Sequence, residues 1–383
     1  MIAYLDFNAS APIEKDVLDY MIDIYRNDYG NANSRTHFYG AQAKSIVETS
    51  RKKIADILLL EPMEVIFTSG ATESNNMAIL GLKEYALQTG KTHFITTAIE
   101  HKAVLEPMKY LQELGFDVDF IYPREDGSIS AEDVINRVTD KTALVSVMHV
   151  NSETGIIQPV KEIGDFLNNK SAFFHIDATQ SFGKLVDELR EIKYDMLSMS
   201  AHKLCGPQGI GALILRKKRY KLPPVRNITY GGQQEHGLRP GTIPVALVAG
   251  LGEACRIAEQ EYQSNAIVFG NIKKQLIKLL RESGLSYEIN GDQEYCIDST
   301  INVSINGVSS EALMLAAKQY CGVSNGSACN SNSYNLSYVL KAMDIDEDKI
   351  KSSIRVSWGA GADEKQIVKE FARLLEIARS LIF

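Results

Sequence analysis

Apolar positions recur at helical spacing from Gln42 to Leu59. A short apolar run, Val65-Ile66-Phe67, then leads through Thr68-Ser69-Gly70-Ala71-Thr72 into a second amphipathic stretch that ends near Gln88. The alternation continues. The pattern predicts a strand from His93 to Thr97, a helix from His101 to Leu114, a strand from Val118 to Tyr122 and a helix near Ala131 to Val138. Leu144 to Val150, Phe173 to Ile176, Met196 to Met199 and Ile210 to Leu215 are uninterrupted apolar runs of the kind buried on both faces of a sheet. Strands separated by helices imply an α/β fold with a mostly parallel sheet. From Lys221 to Ile243, prolines and glycines mark a long structured connection, and Ala246 to Arg281 reads as one long helix or two consecutive ones. A smaller α+β unit follows: strand Thr300 to Ile305, helix Ser310 to Tyr320, strand Ile354 to Trp358 and helix Glu364 to Leu381. No internal repeat is visible.

The expected division is a large domain over 13–255 and a small domain built from 1–12 and 256–383. Within the small domain one stretch stands out. No charged residue occurs from Gln319 to Leu340, and nine of the fourteen positions from Ser324 to Ser337 are Ser or Asn, with Cys329 among them. By composition alone this is a polar connecting loop.

Composition narrows the function. Lys plus Arg is 41 and Asp plus Glu is 48 in 383 residues, a formal charge of −7, which disfavours a protein working mainly by neutralising phosphates of a nucleic acid. Five irregularly spaced cysteines, at 205, 255, 296, 321 and 329, form neither a disulfide framework nor a paired zinc pattern. Reduced thiols, the lack of a basic-then-apolar start and the lack of a long apolar run lead us to expect a soluble cytoplasmic protein that neither enters a membrane nor binds a metal. No G-x-G-x-x-G after a strand, P-loop, H-E-x-x-H or G-x-S-x-G elbow occurs, so the usual signatures of dinucleotide, phosphoryl, zinc and serine chemistry are missing.

Three segments make sense together as a pyridoxal phosphate site. Gly70-Ala71-Thr72 opens a helix after a strand, where free N–H groups and the positive dipole end suit a phosphate, although a capped turn has the same sequence. Asp177 ends a strand, where its carboxylate is suited either to a pyridinium nitrogen or to capping a helix. Lys203, in Ser200-Ala201-His202-Lys203, lies just past another strand end, where a lysine either forms a Schiff base or is solvated.

The ordered motifs Thr68-Ser69-Gly70-Ala71-Thr72-Glu73-Ser74, Glu100-His101-Lys102-Ala103-Val104, His175-Ile176-Asp177-Ala178-Thr179-Gln180, Ser200-Ala201-His202-Lys203, Arg239-Pro240-Gly241-Thr242, Ser324-Asn325-Gly326-Ser327-Ala328-Cys329 and Ser353-Ile354-Arg355-Val356-Ser357 resemble those of the NifS/IscS-type cysteine desulfurases. These are pyridoxal phosphate enzymes of fold type I in the class V aminotransferase group. The resemblance runs from near residue 4 to near residue 360.

It implies that Lys203 holds the cofactor and then moves protons, and that Asp177 pairs with the ring nitrogen. Gln180 would bond the phenolic oxygen, and His101 would stack on the ring as acid and base. Ala71, Thr72, Ser200 and His202 would hold the phosphate, with Thr242 reaching across from a second subunit of a homodimer. Arg355 would take the carboxylate of L-cysteine as a bidentate pair, which Arg supplies better than Lys; Asn31 is a weaker candidate for the same group. Cys329, on a mobile loop spanning about 324–337, would accept the sulfur as a persulfide and pass it to an acceptor protein, leaving L-alanine. Cys205, Cys255, Cys296 and Cys321 are expected to pack.

Asn151-Ser152-Glu153-Thr154-Gly155 departs from the Asn-Asn-Glu-x-Gly common in relatives. Ser152 replaces an asparagine that contacts the ring oxygen, leaving a water, Asn151 or Gln180 to compensate. His236 stands where an arginine is common. The alternatives are a selenocysteine lyase or another enzyme of the class, and a partner-dependent scaffold of low activity. Iron–sulfur assembly and thio-modification of tRNA or DNA are all open as the sulfur's destination, with weak motif evidence for the last.

Overall fold

The computed structural model describes residues 2–218, 221–325 and 336–382. Cys329 and most of the Ser/Asn-rich stretch therefore lie outside the described residues. Seven strands form the main sheet among the described residues, in the order Val65–Thr68, Gly211–Leu215, Met196–Ser200, Phe173–Asp177, Thr142–Met148, His93–Thr97 and Asp117–Ile121. The last five run parallel. Gly211–Leu215 is antiparallel to both of its neighbours, so the two reversals leave Val65–Thr68 pointing with the parallel set. Six strands consequently present their C-terminal ends at one edge, which is where open α/β sheets bind ligands.

Period-two alternation divides the strand side chains between two cores. Phe67, Ile95, Val145 and Ile176 belong to one. Ile66, Phe94 and Leu144 belong to the other, under the helices of 71–113. The amphipathic stretch ending near Gln88 is two helices, Ala71–Leu80 and Lys83–Thr89. Between them Gly81 makes a close approach that only glycine fits: a Cβ there would lie 2.3 Å from the Met77 carbonyl oxygen and 2.8 Å from that of Arg226.

A separate core belongs to the three-stranded antiparallel sheet of Ser353–Ser357, Thr300–Ile305 and Tyr287–Ile289, with Trp358 and Phe371 fully buried in it. The two halves are joined by a single helix, Val245–Glu282, rather than by two. Its first turns, through Cys255, pack on the large sheet, and Phe269 to Leu280 pack on the small one. The N-terminal segment also crosses. Ala3 and Leu5 are in the small core, while the carbonyls of Asn8 and Ala9 face Lys203 beyond the large sheet.

Candidate active site

A cleft of about 1690 Å³ opens between the C-terminal edge of the large sheet and the small sheet. Ala71, Thr72, His101, Ser152, Asp177, Gln180, Ser200, His202, Lys203 and Arg355 all line it. Residues from Ala71 to Arg355 meet there because each ends or follows a strand of the large sheet or, for Arg355, lies at mid-strand of the small sheet.

At one end, helix Ala71–Leu80 begins at Gly70 with no side chain capping it. Its first-turn N–H groups have no partner within the helix and suit an anion. Gly70 has φ +149°, a conformation side chains resist, and a Cβ there would come within 3.5 Å of Ser200 Oγ. Gly211 is equally constrained, since its Cβ would lie 2.7 Å from the Cα of Gly70. The cradle therefore depends on two glycines in contact.

Further along, both oxygens of Asp177 are engaged. Oδ2 accepts from Asn75 Nδ2 at 2.7 Å, while Oδ1 accepts from the Thr179 backbone N–H at 3.0 Å and from Thr179 Oγ1 at 2.5 Å. Three bonds leave capacity on the carboxylate for one more donor. Residues after Asp177 form successive turns rather than a helix, so Gln180 reaches the cleft by turn geometry. Its Nε2 donates to the Asn8 carbonyl at 3.1 Å and its Oε1 is buried without a partner among the described residues. Asn8 Oδ1 is orphaned as well. Lys203 Nζ donates to the carbonyls of Asn8 and Ala9 at 2.5 and 2.6 Å.

His101 caps helix Lys102–Glu113, its Nδ1 accepting from the Ala103 N–H at 3.1 Å. Burial lowers its pKa, partly offset by Asp177, with Lys203 and Lys102 lowering it further. His202 is depressed to about 4 by burial and by the adjacent Lys203. Both imidazoles are thus neutral at physiological pH. Two buried glutamates behave oppositely. Burial pushes Glu100 up to about 8, against hydrogen bonds from Met148 N–H and Thr97, and pushes Glu153 up to about 7, against its bond from Ser337.

Unpaired buried acceptors, an uncapped helix start, a carboxylate with spare capacity and a lysine at the floor fit pyridoxal phosphate. The donor set matches its three polar ends, and the orphaned Gln180 and Asn8 oxygens call for a partner.

Three expected residues lie elsewhere. Asn151 is fully buried and does not line the cleft: its Oδ1 accepts from the Glu153 and Thr154 N–H groups and its Nδ2 donates to the Ile99 carbonyl. It shapes the turn that carries Ser152, so it does not compensate for the shorter serine. Asn31 is exposed and bonds the Asn33 N–H, and Thr242 is exposed outside the cleft of its own chain. The serine substitution also leaves its side chain free of hydrogen bonds among the described residues, while its carbonyl accepts from Asn8 Nδ2 and Arg355 Nη1.

The sequence reading missed Asn75, Asn8, Asp6 and Glu153. An asparagine on the buried face of an otherwise apolar helix was a usable signal for Asn75. For Asn8 and Asp6 no local pattern existed, because their side-chain partners in the cleft lie at least 144 positions away.

The sequence matches the family described as Aminotransferase class-V over residues 3–369. It is 42% identical over 367 residues to a cysteine desulfurase IscS of Pasteurella multocida, covering 95% of this chain and 89% of that one. Among solved structures, a NifS-like protein superposes with a TM-score of 0.91 at 34% identity over the full length of both chains. A structure described as SspA in complex with cysteine superposes with a TM-score of 0.81 at 35% identity, covering 93% of this chain and 99% of that one.

Proposed function

We propose, for a chain that belongs to the class-V aminotransferase family and is a cysteine desulfurase, that it converts L-cysteine to L-alanine with pyridoxal phosphate bound between Ala71 and Lys203 and with Cys329 as sulfur carrier. The observation that carries this reading is the convergence, in one cleft, of an uncapped helix start, the strand-end Asp177, Lys203 and Arg355. Bound pyridoxal phosphate supplies an electron sink that lets the substrate Cα lose its proton.

The protein's own residues do the rest. Ala71, Thr72, Ser200 and His202 hold the phosphate, and a neutral His202 offers a hydrogen bond without adding charge. Asp177, fixed by Asn75 and Thr179, keeps the ring nitrogen protonated. Gln180 and Ser152 face the ring's oxygen side. Lys203 anchors the cofactor and, once released, carries the proton at Cα. His101, neutral through burial, takes and returns the proton of the substrate thiol. Arg355 holds the substrate carboxylate, and Asn31, outside the cleft, takes no part in this reading. Transfer then breaks the substrate C–S bond and forms an S–S bond to Cys329: the sulfur leaves as sulfane sulfur, Cβ keeps the electron pair and, on protonation, becomes the alanine methyl.

A homodimer would bring the exposed Thr242 of one subunit to the phosphate of the other. A cytoplasmic setting would keep the Cys329 thiol reduced for loading and for delivery to an acceptor protein. The large and small domains divide within the helix Val245–Glu282, with the small one carrying Cys329 and Arg355.

The test is to incubate the holoenzyme and its Cys329→Ser variant with L-cysteine and to measure alanine and persulfide. Alanine from wild type with persulfide lost in the variant is the expected result. Alanine formed without dependence on Cys329 would favour a selenocysteine lyase-like enzyme, and no alanine, with or without reductant, would favour a partner-dependent scaffold.

A further inference from the structure

Arg355 enters the cleft from the middle of strand Ser353–Ser357 already engaged. Its Nη2 donates to Asp6 Oδ1 at 2.7 Å, its Nη1 donates to the Ser152 carbonyl at 2.9 Å, and its Nε is buried with no partner. The side chain of Arg355 is 5% exposed and that of Asp6 is 18% exposed. Asp6 is not there by chance of rotamer. The N-terminal segment pairs with the same strand, Asp6 bridging to Ser357 and the Ser357 N–H bonding the Leu5 carbonyl at 2.8 Å, so the backbone register puts Asp6 opposite Ser357, on the face that also carries Arg355 two residues away. No other hydrogen bond holds the Asp6 carboxylate among the described residues.

We propose that Asp6 sets the affinity of this site for the substrate carboxylate, by aiming Arg355 and by partly neutralising it. This rests on the reading of Arg355 as the carboxylate-binding residue. A guanidinium binds a carboxylate best as a two-pronged fork, and here one prong is on a backbone carbonyl and another on a resident carboxylate. An incoming carboxylate therefore shares the guanidinium with Asp6 at short range, and like charges around one cation weaken each other's binding. Removing the negative charge while keeping an acceptor frees that attraction. Removing the acceptor as well leaves a buried arginine without its aim.

Asp6 is thus a positioning and specificity-determining residue, and its two roles separate by substitution. In the holoenzyme, Asp6→Asn should lower KM for L-cysteine by about tenfold, with the change in KM rather than kcat, and should lower the inhibition constant of L-alanine by a similar factor. Asp6→Ala should raise both. Cysteamine, which has the thiol but no carboxylate, serves as the control competitor, and its inhibition should not respond to either change. Bound cofactor absorbance reports whether each variant folds, and Asp6→Ser replaces Asp6→Asn should the latter not fold.

An unchanged or raised KM in Asp6→Asn, or an equal shift for cysteamine, overturns the proposal. Arg355→Lys separates the premise from the inference. If that variant keeps the wild-type KM for L-cysteine, the reading of Arg355 fails and the proposal with it. If it raises KM while Asp6→Asn does not lower it, only the role of Asp6 fails.

Discussion

Asn75 donates through Nδ2 to Asp177 Oδ2 at 2.7 Å, with both residues buried, so the helix that starts uncapped at Gly70 also fixes the strand-end carboxylate. In the proposed function one rigid element would serve two ends of the cofactor. Asn75→Ala removes a hydrogen bond to a charged acceptor, which costs roughly 1.5 to 3 kcal/mol. The expected outcome is a lower melting temperature of the apoprotein and a cofactor dissociation constant raised at least several-fold, read by thermal unfolding and by titration of absorbance.

Lys203 reaches the Asn8 and Ala9 carbonyls, which accept its ammonium. Lys203→Ala should abolish the yellow colour of cofactor attached to the chain and all alanine formation. Yellow colour kept by the variant after dialysis, bleached by borohydride with the cofactor left bound to the chain, would refute the assignment to Lys203.

Away from the cleft, Arg51 forks onto Glu235, with Nη1 to Oε2 at 2.8 Å and Nη2 to Oε1 at 2.7 Å, and Glu235 Oε2 also accepts from the Phe67 N–H. Both side chains are nearly inaccessible. Breaking one partner leaves a buried charge unpaired, so Glu235→Gln or Arg51→Met should cost roughly 3 to 5 kcal/mol in urea unfolding, with the double variant losing less than the sum.

Stability should also fall as pH rises. Glu100 titrates near 8 in the folded chain against an ordinary value of 4.5, because burial disfavours its anion, and its Oε2 has no partner. In this window the folded state binds the proton and the unfolded state does not. The stabilisation is complete below about 4.5 and is lost progressively until pH passes about 8. Glu153, displaced to about 7, acts in the same direction. Glu100→Gln should flatten the dependence of unfolding free energy on pH by about one proton, a slope of about 1.4 kcal/mol per pH unit. A slope identical to that of wild type would sink this assignment.

Ser152 places a side chain without hydrogen bonds on the cleft beside Arg355, while its carbonyl carries the contacts. Ser152→Asn should shift the cofactor absorption band and change the alanine-forming rate. An unchanged spectrum would show that the shorter side chain has no electronic consequence.

The sequence by itself determined the α/β class, the alternation of helices and strands, and the placement of Gly70, Asp177 and Lys203 at a helix start and at strand ends. These were legible because each depends on local physics: buried strands are continuous apolar runs, helix starts expose N–H groups, and reactive groups follow strand ends. Only the tertiary structure decided that Asn151 turns away into its own loop, that Asn75 holds Asp177, that Gly81 lies close against the chain at Arg226, and that Asp6 reaches Arg355. Those outcomes come from side chains and backbone meeting across long stretches of chain. No spacing rule carries that information, because the partner is chosen by packing and by the need of buried polar groups for one another.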